Sequence, residues 1–380
     1  MLSNGILTWA EIDLDAIAHN VRAIQAHVGE KIEIIAVVKA NAYGHGAIPV
    51  ARTVLEAGAT RLAVHRIQEG VELRQAGITA PILLLGYTSP SGVPLLAQHQ
   101  LTPSLVDREI ALQLAEQPGG PFPVHVKVDT GMSRYGLTPD EALDFIRFLS
   151  AQPNLIVEGI FSHFAAADAA DAASMLHQWE TFHVLLDRLE ATGLHIPVRH
   201  ICHSPSLMRL SDAHMEAVRP GVALYGMEPS DAWNSPIPLR RALTLKSTVV
   251  RVFPVAPGTG IGYGHTFIAP APMTAALIPI GYGDGYHRML SNRGQVLIRG
   301  QRAKICGRVS MDQIVVDVTH IPDIAQGDEV VLIGRQGEDE IRAEEVGRWA
   351  ETINYEITTA LLPRVTRAYI RNAQIIACLP

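Results

Sequence analysis

Short apolar runs alternate with helically spaced segments over much of the chain, and this alternation restricts the fold more than any other feature. The runs at 34–38, 62–64, 82–85, 102–106, 124–128, 155–161, 198–202 and 217–224 have strand length and are rich in Val, Ile and Leu. Helical spacing at 48–57, 67–76, 110–114, 139–149 and 172–189 fills most of the gaps. Asp13 is placed to cap a first helix through Leu14, Ile17, Val21, Ile24 and Val28. Eight such units predict an α/β architecture, a (β/α)8 TIM-type barrel, a fold of typically about 250 residues. An open doubly wound sheet shares this periodicity and stays open as the alternative.

The pattern changes after a Pro-containing stretch at 229–238, read as a linker. Runs at 244–255, 274–280, 295–298, 303–306, 314–318 and 329–333 then follow, with one helical segment at 342–352. The expected organisation is a barrel over 1–236 followed by a mostly β C-terminal domain over 237–380. The first ~10 residues are free to pack with the strand domain.

Hydrophobic residues at 48% and charged residues at 18% describe a globular chain. A net charge of -7 without any Lys/Arg run disfavours nucleic acid as a partner. Cys202, Cys306 and Cys378 are few and scattered, which fits a reducing compartment. The first residues lack the basic and apolar regions of a secretory leader. No apolar run approaches the roughly 20 residues that span a bilayer. These features predict a cytoplasmic protein without a membrane partner. No CxxC, HExxH or Walker lysine pattern occurs, and Gly258–Tyr263 lacks the third glycine of a dinucleotide fingerprint, so no metal or nucleotide site is expected.

Barrel chemistry sits at the C-terminal strand ends, and phosphate often binds after strands seven and eight. Lys39 directly follows the first run, His163 the sixth, His203 and Ser204 the seventh, while Arg219 and Gly221 fall in the eighth. A lysine there either snorkels to the barrel mouth or, desolvated and neutral, attacks an aldehyde. Ser204 and the Pro220-Gly221-Val222 backbone suit a phosphate dianion, although Pro-Gly is also an ordinary turn.

Six motifs in order resemble those of the alanine racemases that use pyridoxal 5'-phosphate (PLP), and the resemblance spans nearly the whole chain. The stretch Ala36–Gly46 is similar to the family's PLP-lysine signature, which implies that Lys39 holds the cofactor and Tyr43 binds its phosphate. Lys127–Gly136 resembles the segment whose arginine, Arg134, contacts the phenolic oxygen of PLP and the substrate. In many members the lysine matching Lys127 is carbamylated. Val218–Gly226 resembles the strand whose arginine, Arg219, meets the pyridine nitrogen and whose Gly221 and Val222 amides meet phosphate. Ile261–Gly264 is similar to the catalytic-tyrosine motif, here Tyr263. Gly307–Gln313 and Ile353–Glu356 complete the set. They imply that Met311 touches substrate, that Tyr355 lies at the cofactor and that Tyr282 and Tyr355 narrow the entrance. One departure is clear. The family usually has Asn before the serine of strand seven, whereas this chain has His203, which bears on the packing of the cofactor edge and on substrate range.

The resemblance implies a two-base racemisation, with Lys39 acting on the D-enantiomer and Tyr263 on the L-enantiomer. Tyrosine begins near pKa 10, so the site must favour its phenolate, and His163 with Arg219 behind it is the expected network. A guanidinium only donates, so a ring nitrogen facing Arg219 must accept and stay unprotonated. The family builds each site from both chains of a homodimer and supplies D-alanine for peptidoglycan. Rival readings are a PLP decarboxylase, a non-catalytic PLP-binding protein and a serine or broader-range racemase. The decarboxylase would be expected to face the pyridine nitrogen with an acid, and the binding protein to lack the strand domain.

Overall fold

The computed structural model describes residues 5–379, so Met1–Asn4 of the stretch read for a leader lie outside the described residues. The chain divides into two compact units. One holds Ile17–Ala42 and Ala47–Arg240; the other holds the N-terminal stretch through Ala16, Tyr43–Gly46 and the chain from Arg241 onward.

The first unit is a barrel of eight parallel strands: Glu33–Val37, Arg61–Val64, Ile82–Leu84, Ser104–Leu105, Phe122–Lys127, Leu155–Phe161, Val198–His200 and Ala217–Val218. They form two four-stranded sheets joined by single parallel bridges, Leu83 to Thr102 and His203 to Arg219. Ala217 and Val218 pair with Glu33 and Ile34, so the last strand returns to the first and the sheet closes. Closure decides against the open doubly wound alternative. Residues 34–38 are at most 5% exposed, as two-sided burial requires.

The surrounding helices follow local rules. In Pro139–Ser150, Pro139 occupies the first turn and Thr138 and Glu141 form a reciprocal cap, the Glu141 carboxylate accepting the Thr138 amide at 2.8 Å. Its inward face, Ala142, Leu143, Phe145, Ile146 and Leu149, is buried. Two further helices were not foreseen, Val93–Gln98 and Ser204–Arg209, each only six residues long.

The eighth strand is shorter than its apolar run suggests. It stops at Val218, and Val222–Tyr225 turns as a 3-10 helix instead of extending to Leu224. Pro220 has no amide to donate to a ladder, and its carbonyl accepts from Val37. The Tyr225 hydroxyl then donates to the Val37 carbonyl at 2.9 Å, fixing the turn against the first strand.

The second unit is built on an 11-stranded sheet. The run at 244–255 is two strands, because Leu243–Thr248 pairs with Glu329–Gln336 while Arg251–Val255 pairs with Met273–Ile278. Thr8–Asp13 lies between Leu243–Thr248, antiparallel, and Thr366–Arg371, parallel. Helices Ala343–Trp349 and Asn354–Thr359 complete the unit. No helix among the described residues is long and apolar enough to cross a membrane.

Helix Leu14–Val28 starts where Asp13 accepts the Ala16 amide at 2.9 Å. Replacing Asp13 with Ala removes this cap and is expected to cost about 1 kcal/mol. Urea unfolding checks this as a lower midpoint at unchanged slope.

Candidate active site

Lys39 leaves the first strand into a left-handed turn. Ala40, Asn41 and Ala42 have φ of 52, 53 and 52° with ψ of 51, 48 and 50°, and Tyr43 has φ of 55°. Residues with a Cβ pay about 1–2 kcal/mol each for this conformation. Side chains and backbone hold it in place. The Glu69 carboxylate accepts the amides of Ala40, His65 and Arg66 at 2.6–2.8 Å, and Asn41 Oδ1 accepts the Ala47 amide at 2.7 Å. The Ala42 amide donates back to the Val38 carbonyl. The strained turn that follows Lys39 is therefore held by its surroundings. Burial lowers the Lys39 pKa, the Arg134 charge lowers it further, and Glu69 opposes both.

Lys127 ends the fifth strand and is 7% exposed. Its amine donates to the Val128 carbonyl at 3.0 Å and lies 5.1 Å from the Phe161 ring centre. Burial, with the Arg219 charge second, pulls its pKa down to about 7. Just beyond, Asp129 accepts the amides of Gly131, Met132, Ser133 and Arg134 at 2.8–3.1 Å. Burial works against the carboxylate, but these four donors outweigh it and hold its pKa low. The loop that presents Arg134 is thus tied to one carboxylate, whose charge is spent on backbone.

Arg219 is 2% exposed. Its Nη1 donates to His200 Nδ1 at 2.5 Å, and its Nη2 donates to the Ser162 and Ile201 carbonyls at 2.7 and 3.1 Å. His163 Nδ1 lies 3.5 Å from Nη2. Among the described residues Nε–H has no partner, and none of the contacts is a carboxylate. Burial lowers the guanidinium to about 10, which leaves it charged at neutral pH. His163 is held well below the usual imidazole range by burial, then by His203 and Arg219.

Ser204 joins strands seven and eight. Its Oγ accepts the Gly221 and Ala223 amides at 2.9 and 3.2 Å, leaving its own proton to donate. The neighbouring Val222 opens the 3-10 turn. His203 caps the helix Ser204–Arg209 through Ser206 and lies with its ring 4.5 Å from that of His163. Burial, followed by the Arg219 and Lys39 charges, brings its pKa to about 3. Lys39, Lys127, Arg134, His163, His203, Ser204, Arg219, Gly221 and Val222 therefore all belong to the C-terminal strand ends of the barrel.

The remaining expected residues lie in the strand unit. Tyr263 is 72% exposed and Met311 53%. Tyr282 and Met311 are set side by side by amide bonds from Tyr282 to Ser310 and from Gly283 to Met311. A Cβ on Gly281 would come within 2.2 Å of the Ser310 carbonyl, so only glycine permits this approach. Asp284 and Asp312 are bridged by Arg364 at 2.6 and 2.7 Å, which fixes both loops. The Tyr43 and Tyr355 rings are 6.2 Å apart.

Glu69, Asp129, His200, Asp284 and Arg364 escaped the sequence reading. Three of them carried a local signal: Asp129 lies two residues before Gly131, as in an Asx turn, while Glu69 and Asp284 each sit three residues after the amide they cap, Arg66 and Gly281. His200 and Arg364 act through partners distant in sequence.

Comparison with known proteins gives a consistent result. The family profile described as "Alanine racemase, N-terminal domain" matches residues 12–229, and "Alanine racemase, C-terminal domain" matches residues 242–369. The alanine racemase of Halothermothrix orenii is 46% identical over 365 residues, covering 95% of this chain and 96% of that one. That of Desulforamulus reducens is 46% identical over 367 residues, covering 95% and 98%. Among solved structures, alanine racemase from Bacillus anthracis with bound L-Ala-P superposes with a TM-score of 0.94 at 38% identity, covering 99% of this chain and 98% of that one.

Substituting Asp129 with Ala releases four amides at once. Hydrogen exchange at Gly131–Arg134 is expected to accelerate at least about tenfold while core strand amides keep their protection. Mass-spectrometric exchange on this segment checks it.

Proposed function

The chain belongs to the alanine racemase family and is an isomerase interconverting L-alanine and D-alanine, and from there we propose which of its residues hold the cofactor and move the proton. The observation that carries the assignment is Arg219, buried and charged without a carboxylate, with its Nε–H open. Those features fit PLP, an anionic group whose ring nitrogen accepts.

Ser204, Gly221 and Val222 would bind the phosphate; the family resemblance also assigns Tyr43 to the phosphate and Tyr355 to the cofactor, and their rings lie 6.2 Å apart. Arg219 would donate to the ring nitrogen, Arg134 would reach the phenolic oxygen and the substrate, and His163 and His203 would line the ring edge. Bound in this way, PLP supplies the electron sink that makes an α-proton removable. Since the Arg219 guanidinium donates hydrogen bonds but does not surrender its proton, a ring nitrogen facing it would accept without being protonated, and a moderate sink of that kind would favour returning the proton over losing another group.

Lys39 holds the cofactor, and burial, which lowers its pKa and so favours the neutral amine, suits it to take the α-proton of D-alanine. Tyr263 serves the L-enantiomer. Its 72% exposure, alongside exposed Met311 and Tyr282, suits a face completed by a second copy of the chain, so the working form is a homodimer with shared sites. Met311 touches substrate, and Tyr282 and Tyr355 narrow the entrance. Cys202, Cys306 and Cys378 are free thiols, in keeping with a cytoplasmic enzyme that supplies D-alanine for peptidoglycan.

Lys127 is the carbamylation site. With a pKa of about 7, much of its amine is neutral at neutral pH and able to add carbon dioxide, releasing one proton. The resulting negative charge steadies Arg134. Enzyme equilibrated with carbon-13 bicarbonate is expected to show one protected carbamate resonance that disappears in Lys127→Ala. Its absence from the parent protein rejects the modification.

The two-base scheme is tested by solvent deuterium exchange. Tyr263→Phe is expected to lose about 100-fold or more of the exchange started from L-alanine. Exchange started from D-alanine survives through Lys39. Equal loss from both sides contradicts separate bases. Mixing inactive Lys39→Ala and Tyr263→Phe chains should restore activity in hybrid dimers, each of which assembles one intact site.

A further inference from the structure

Behind Arg219, a polar chain crosses the interior of the barrel. His200 ends strand seven, and its Nε2 lies 2.8 Å from Nδ1 of His125 in strand five. His125 Nε2 meets Glu158 Oε2, in strand six, at 3.2 Å. Glu158 also accepts from Arg61 Nη1 at 2.8 Å, and Arg61 Nε donates to Glu33 at 2.8 Å. Glu33 and Arg61 begin their strands, so the chain reaches the barrel end opposite Lys39.

Donor chemistry gives this chain a direction. Arg219 can only donate, so His200 Nδ1 must accept and its proton sits on Nε2. That proton goes to His125 Nδ1, which places the second ring's proton on Nε2, facing a carboxylate that only accepts. Both imidazoles are therefore fixed in the Nε2–H tautomer by a pure donor at one end and a pure acceptor at the other. Burial, joined at His200 by the Arg219 charge, keeps both rings neutral. Burial works to raise the Glu158 carboxyl, but the His125 bond and the Arg61 charge outweigh it and keep it ionised.

The barrel is also shaped for this arrangement. A Cβ on Gly159 would lie 2.4 Å from His125 ring atoms, so glycine makes the room the imidazole occupies. The Phe161 ring stacks on His200 at 4.8 Å with a 7° tilt. Barrel interiors are ordinarily filled by layers of branched apolar side chains, and polar groups there are costly unless bonded. An apolar filling would cost less if packing were the only role.

We propose that His200, His125 and Glu158 form a one-way hydrogen-bond relay that locks the orientation and positive charge of Arg219 for racemisation. The three are positioning residues. They return part of a carboxylate's compensation to Arg219 from across the barrel, through polarised neutral rings, without placing an acid beside the cofactor. The relay rests on the assignment of Arg219 to the cofactor ring.

The test uses the full-length holoenzyme labelled with nitrogen-15 histidine. Resonances of His125 and His200, assigned by their loss in His125→Gln and His200→Gln, should show neutral rings protonated at Nε2 only. A proton on Nδ1, or an imidazolium at either position at neutral pH, overturns the relay. His125→Leu should lower kcat on the order of tenfold with little change in KM, as is typical when a partner that orients a reacting group is lost. In His125→Gln the amide can accept from His200 and donate to Glu158, and most of that loss should be recovered. Equal kcat in two folded variants reduces the chain to packing and overturns the proposal. Failure of the underlying reading looks different: Arg219→Ala would leave the cofactor's visible spectrum unchanged while both tautomers stay as assigned.

Discussion

A guanidinium buried without a carboxylate partner is the constraint around which the barrel end is organised. Arg219 is bonded only to carbonyls and imidazoles, and its charge appears in the depressed pKa of every neighbouring base. Burial acts first at Lys127, His163, His200 and His203, and Arg219 adds to it at each. The outcome is a rim where the imidazoles are neutral and the Lys127 amine is partly so, while the field stays positive. Such a field selects anions: a phosphate, a phenolate oxygen and a substrate carboxylate can supply the counter-charge that the chain withholds.

The acids near this rim are used in a way that preserves the field. Glu69 spends both oxygens on the amides of Ala40, His65 and Arg66, and Asp129 is saturated by four amides. One carboxylate sustains the left-handed turn after Lys39, and the other shapes the loop that ends in Arg134. Each buys backbone geometry rather than neutralising the cation it positions. Strain in the turn is thus coupled to electrostatics: the clamp that keeps Ala40–Tyr43 left-handed also removes an acid from direct pairing with the Lys39 amine.

Sequence periodicity exposed the alternating strands because two-sided burial demands apolar runs, and it exposed Lys39, His163, Ser204 and Arg219 because polar residues stand out where such runs end. It overextended the eighth strand, since Val222, Ala223 and Leu224 are as apolar as a strand although they follow a proline that cannot join the ladder. It merged Leu243–Thr248 with Arg251–Val255, because pairing partners are invisible within one segment. His125 and Glu158 were hidden for a related reason. A single polar residue inside an apolar run looks like noise until its partner is known, and theirs lie 75 and 33 residues away. Closure of the barrel, which brings those partners together, is a property of the whole sheet.

Phe161 shows how the barrel holds the Arg219 cation without cancelling it. The guanidinium carbon of Arg219 lies 5.0 Å from its ring centre and the Lys127 amine 5.1 Å, while His200 stacks on it at 4.8 Å. An aromatic quadrupole attracts a desolvated cation by about 0.5–2 kcal/mol yet carries no net charge. An acid in the same place would hold Arg219 more strongly. It would also raise the Lys127 pKa, return the imidazoles towards protonation and compete with every anionic ligand. A ring at this position supports the cation at close range, and the compensating carboxylate is kept two imidazoles away. The weaker interaction is therefore the one compatible with a site whose bases must stay neutral beside a permanent positive charge.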